Sequence, residues 1–84
     1  MIYTKLVLDN DNRNIIGPRL KVARLRSNLT QQQLSAKLET IAVYIDRASI
    51  SKIEQQKRIV TDYELLALCQ ILKVSPGWLL GLEK

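Results

Sequence analysis

Leu29-Thr30-Gln31-Gln32-Gln33-Leu34-Ser35-Ala36-Lys37-Leu38 is the stretch on which the reading of this chain turns. Thr30 and Gln33 form a capping box: the threonine hydroxyl takes the N–H three residues on, and the glutamine side chain takes the threonine N–H. A helix therefore opens here. Leu34 and Leu38 lie four apart on one of its faces, and Ile41 prolongs that apolar stripe.

The same signals recur on both sides of this stretch. Downstream, Asp46 is placed to cap a helix that carries Ile50 and Ile53 inward. Thr61-Asp62-Tyr63-Glu64 is a second capping box, followed by Leu65, Leu68, Cys69 and Leu72 at helical spacing. Ser75-Pro76 joins a capping serine to a proline in the first helical position, ahead of Trp78-Leu79-Leu80. Trp78 is expected to lock that last helix onto the core. Upstream, Ile16, Leu20 and Ala23 share a face, with Pro18 tolerated only near the helix start. The pattern predicts five short helices and no strand in the core. Helices this short need tertiary packing to persist, so the fold class is an all-α bundle around an aliphatic core.

The 84 residues, 46% of them apolar, make one domain. Residues 14–84 carry the helices, whereas 1–13 form a short N-terminal extension. Ile2-Tyr3-Thr4-Lys5-Leu6-Val7-Leu8 is rich in β-branched and aromatic residues and precedes Asp9-Asn10-Asp11-Asn12. It reads either as a short strand pairing with a second chain or as a loose arm. The Asp9/Asp11 spacing is similar to the start of a calcium loop. Arg13 and Leu20 stand where further ligands belong, which rejects calcium.

Cys69 is the single cysteine and the chain has no histidine, so neither an internal disulfide nor a zinc set is expected. Cys69 reads as a small core residue on an apolar face. No cofactor site, paired carboxylates or glycine-rich phosphate loop builds an active site, and no enzyme is expected. Leu6-Val7-Leu8 is too short for a membrane span, and a cytoplasmic location is expected.

Charge is more informative than its total of +5. Between Asn12 and Leu38 stand six bases (Arg13, Arg19, Lys21, Arg24, Arg26, Lys37) and no acid. Between Arg47 and Arg58, four bases face Glu54 alone. Such segregation suits a polyanion, although a solvated basic surface shows the same pattern.

The strings Leu29-Thr30-Gln31-Gln32-Gln33-Leu34, Ile50-Ser51-Lys52-Ile53-Glu54 and Leu72-Lys73-Val74-Ser75-Pro76-Gly77-Trp78-Leu79-Leu80, in that order, resemble the Xre family, the helix-turn-helix domain of Cro and the lambdoid phage repressors. The resemblance spans about residues 15–81. It implies a five-helix lambda-repressor-like domain that binds double-stranded DNA, with the helix around 47–55 in the major groove. It implies base-reading roles for Arg47, Ala48, Ser49 and Lys52. Phosphate contacts fall to Gln31, Ser51, Gln55, Lys57 and Arg58. Arg24 and Glu54 resemble a structural ion pair that turns Glu54 away from DNA. Arg19, Lys21 and Arg26 read as general basic surface, and Tyr44 as an exposed loop residue or a phosphate donor.

Two departures from the family pattern stand out. Glu39–Asp46 is longer than the usual tight turn, which predicts an extended second helix with Val43 and Ile45 tucked inward. Gln56 replaces the glycine common after the recognition helix, so a different helix end is expected. The function implied is a transcriptional regulator, most simply a repressor acting as a homodimer. The alternative is an antitoxin that binds a partner toxin and represses its own operon.

Overall fold

The computed structural model describes residues 11–84, in which five helices follow one another. They are α1 (Gly17–Arg26), α2 (Gln31–Glu39), α3 (Arg47–Glu54), α4 (Asp62–Leu72) and α5 (Pro76–Leu79). No strand occurs among the described residues. Met1–Asn10, the bulk of the expected arm or strand, lies outside them.

Four of the helix starts are those announced by sequence. Thr30 Oγ1 accepts the Gln33 N–H at 3.0 Å, and Gln33 Oε1 accepts the Thr30 N–H at 2.9 Å. Thr61 and Glu64 repeat the box at 3.2 and 3.0 Å. Asp46 accepts the Ser49 N–H, and Ser75 accepts the Trp78 N–H. The start of α1 differs. Its boundary residue Ile16 offers no cap, and Asn14 Oδ1 takes the Gly17 N–H at 2.9 Å instead.

The helix ends share one geometry. Asn28, Ala42, Gln56, Lys73 and Gly81 adopt the left-handed conformation. The next N–H in each case folds back into the last turn: Leu29 to Arg24, Val43 to Leu38, Lys57 to Lys52, Val74 to Cys69 and Leu82 to Gly77. These are Schellman caps, which satisfy carbonyls that have no partner further along the helix. Two expectations are corrected here. Gln56 does not change how α3 ends, because at φ 63 it takes the conformation that glycine would supply. The extension of α2 is slight: it stops at Glu39, and only short-range bonds from Thr40 to Lys37, Ile41 to Leu38 and Ala42 to Glu39 prolong it.

Leu20, Leu34, Leu38, Ile45, Ile50, Ile53, Leu68 and Leu79 are fully buried and fill the centre. The third helix packs on α1 and α2, α2 on α4, and α4 on α5. Ile41 and Val43 are half-buried against the same core, and Cys69 lies inside it, where burial pushes its thiol pKa up. The anchor of α5 is Leu79, fully buried, whereas Trp78 is only half-buried. Its ring faces α1, with the Arg19 and Arg26 guanidinium carbons 5.0 and 5.7 Å from the ring centre. Arg19 also donates to the carbonyls of Trp78 and Glu83. These two arginines, read from sequence as general basic surface, therefore fasten the C-terminal end to α1. A cation over an indole face is favoured by the ring quadrupole.

Candidate nucleic-acid interface

With about 100° between successive residues, a helix that buries Ile50 and Ile53 points Ala48, Ser51, Lys52 and Gln55 in the opposite direction. Arg47 and Ser49 fall on the two flanks. Exposure agrees: Arg47, Ala48, Lys52 and Gln55 are exposed, and Ser49 and Ser51 are half-buried. The outer face is thus polar and basic. Gln55 Nε2 donates to Ser51 Oγ at 2.8 Å, which sets both side chains at the middle of the face, the same region as the base-reading candidates.

Glu54 is turned away from that face and fully engaged. Arg24 donates to it through Nε at 2.7 Å and through a terminal nitrogen at 3.1 Å. The side chains are 9% and 5% exposed, so this bidentate pair lies in a dry setting. The carboxylate bond raises the Arg24 pKa above its ordinary value. Arg24 also donates to the Leu29 carbonyl and so binds the turn after α1.

Gln31, expected on phosphate, places its side chain on Glu54, donating from Nε2 to Oε1 at 3.1 Å. Lys21, Arg24, Gln31, Ser51, Glu54 and Gln55 together line a shallow polar cleft between the first three helices. What Gln31 can still offer to an anion is the backbone N–H at the start of α2, where the helix dipole favours negative charge.

Lys57 is exposed, as a backbone-clamping residue needs. Arg58 is placed otherwise than expected. It pairs with Glu64 in fork geometry, at 2.9 and 2.8 Å, and donates to the Ile59 carbonyl. Glu64 thereby serves both its capping box and Arg58, and the guanidinium holds its carboxyl below the usual carboxylate range. Asp46, exposed at the other end of α3, is lowered by the Ser49 N–H.

The long connection into α3 is anchored. Ser35 Oγ donates to the Ile45 carbonyl at 2.7 Å within the core, and Ile45 is itself buried. Tyr44, beside it, is 76% exposed.

Sequence reading missed two residues at the far end of α3. Asn14 is buried and donates from Nδ2 to the carbonyls of Ile53 and Arg58, at 3.1 and 2.8 Å. Gly17 lets α1 approach so closely that a Cβ there would lie 2.5 Å from the Ile53 carbonyl oxygen. Their reach to α3 leaves no local signature, because Ile53 and Arg58 are distant in sequence.

Residues 20–79 match the Helix-turn-helix family. Among solved structures, the chain is similar to the P22 c2 repressor protein, crystallised in complex with a synthetic operator. The likeness covers 83% of this chain and 98% of that one, with a TM-score of 0.70 and 24% identity, and it shows the shared fold. No curated protein matches the sequence.

Proposed function

The chain belongs to the Helix-turn-helix family, and from that premise we propose that it is a sequence-specific regulator of transcription that inserts α3 into the major groove of double-stranded DNA. One observation carries the reading: the outer face of α3 is basic and polar while its only acid, Glu54, is sequestered by Arg24. An outward carboxylate would repel phosphate; this one is neutralised.

Arg47 and Lys52 have the chemistry to donate to guanine O6 and N7, and Ala48 can touch a thymine methyl. Ser49, Ser51 and Gln55 are short or medium polar groups on the same face, suited to base edges or phosphates. Gln31 at the start of α2 and Lys57 after α3 would fix the helix on the two flanking backbones. Arg58, with both terminal nitrogens on Glu64, is the weakest of the phosphate candidates. The known fold neighbour was crystallised with an operator, which favours a repressor. A homodimer on an inverted repeat would set two α3 helices about 34–36 Å apart. Sedimentation showing a single chain per bound site would contradict the dimer.

Two substitutions separate reading from holding. Arg47→Ala should cost roughly 1–3 kcal/mol on the preferred site and relax the preference at one base pair. Lys57→Ala should weaken all duplexes alike and lower the salt slope by about one. Equal losses on preferred and random duplex for Arg47→Ala would move that residue to a phosphate.

A further inference from the structure

We infer that Asn14 and Gln56 form a polar lock that sets the angle of α3 and the path of the chain beyond it, making them positioning residues for DNA readout. The inference rests on the reading of α3 as the DNA-facing helix. Neither residue has been given a role in that reading, and neither belongs to its outer face.

The last carbonyls of a helix lack partners in the helix itself. At the end of α3 the Ile53 carbonyl, and the Arg58 carbonyl beyond it, are met by a side chain from another part of the chain. Asn14 comes from before α1 and donates to Ile53 O, 39 residues away, and to Arg58 O, 44 away. Its own side-chain oxygen is occupied by the Gly17 N–H, which ties the same amide to the start of α1. In return, Gln56 Nε2 donates to the Asn14 carbonyl at 3.0 Å, and the Arg13 N–H donates to Gln56 O at 2.8 Å. The bonds thus run in both directions between one short segment of chain and the exit of α3.

The placement is what gives the lock its consequence. Ile53, Gln56 and Arg58 bracket Gln55 and Lys57, and Asn14 grips them from the buried side. A tilt of the end of α3 would carry Gln55 and Lys57 with it. The missing Cβ at Gly17 lets α1 come close enough to the end of α3 for these bonds to form. Gln56 also sits in the left-handed region, where glycine is easier. A glutamine there keeps a strained backbone together with a side chain that reaches Asn14.

That strain makes the decisive variant available. Gln56→Gly relieves the backbone and removes the bond to Asn14, so stability and positioning should move in opposite directions. The measurements are the thermal midpoint and the ratio of affinities for a site enriched from random duplex and for random duplex itself. For Gln56→Gly the midpoint should hold or rise, while the ratio falls roughly three- to tenfold, or ~0.7–1.4 kcal/mol. Ala42→Gly relieves the same strain at the end of α2 without touching the lock; its midpoint should rise and its ratio stay at the wild-type value. Asn14→Ala should lower both. A wild-type ratio retained by Gln56→Gly would overturn the inference alone. A wild-type chain with no preference for any duplex would overturn the DNA reading, and the inference with it.

Discussion

At its leading end α3 hangs from the core: Ile45 is buried just before it, Ser35 holds the Ile45 carbonyl, and Asp46 supplies one exposed cap. At its trailing end it is tied by charge and amide. Glu54 takes the Arg24 fork, the Ile53 and Arg58 carbonyls take Asn14, and Glu64 takes the Arg58 fork. The leading connection is the one lengthened relative to the family pattern, and apolar burial tolerates such a change because it has no fixed direction. Hydrogen bonds are directional. If α3 reads DNA as proposed, the trailing end, tied by more side-chain bonds, would be where the orientation of its outer face is chiefly set.

The largest expected effect probes the trailing end. Arg24→Ala leaves Glu54 buried with only Gln31 as partner, at a cost of about 3–5 kcal/mol in chemical denaturation. A loss below about 1 kcal/mol would place the two ends on an equal footing and remove the contrast.

The leading end should respond less. Ser35→Ala removes the donor to a buried carbonyl and should cost roughly 1–3 kcal/mol, with the slope of denaturation unchanged. Its DNA preference should follow stability alone, since the Ser35 hydroxyl bonds to Ile45 in the core and not to the outer face. A specific loss of preference in this variant would mean that the leading end also sets orientation.

Acid is the gentlest probe. The Glu64 and Asp46 carboxyls are held below their ordinary values, Glu64 first by Arg58 and Asp46 first by the Ser49 N–H. Groups lowered in the folded chain contribute stability that is present above the unfolded value of about 4.3 for Glu and 3.9 for Asp. That contribution is lost as pH falls through the lower folded values. Stability should hold from neutral pH to about 5 and decline below it. Glu64→Gln should flatten part of that decline. The partial exposure of the Arg58–Glu64 pair, 29% and 15%, means that salt screens it and keeps the effect small.

How much of this was legible in sequence follows from the distance between partners. Both capping boxes, Asp46 and Ser75 act three residues away, and the local order of residues shows them. The buried stripe of each helix follows from the same local repetition. Arg24 and Glu54 are 30 residues apart and were found only through resemblance. The reach of Asn14 and Gly17 to Ile53 and the grip of Arg19 on Trp78 span 36 to 59 residues with no pattern to betray them. Gln56 illustrates the other limit: its replacement of glycine pointed to a changed helix end, yet the backbone took the left-handed turn regardless, because the Lys57-to-Lys52 bond closes it.

The outer face of α3 is proposed to read sequence in double-stranded DNA. Selection of bound fragments from random duplex by the full 84-residue chain tests it most directly. One enriched motif is expected, with half-sites about one helical turn apart, and its preference weakens in Arg47→Ala. Retention of fragments with no enriched motif, unchanged by Arg47→Ala, would contradict it.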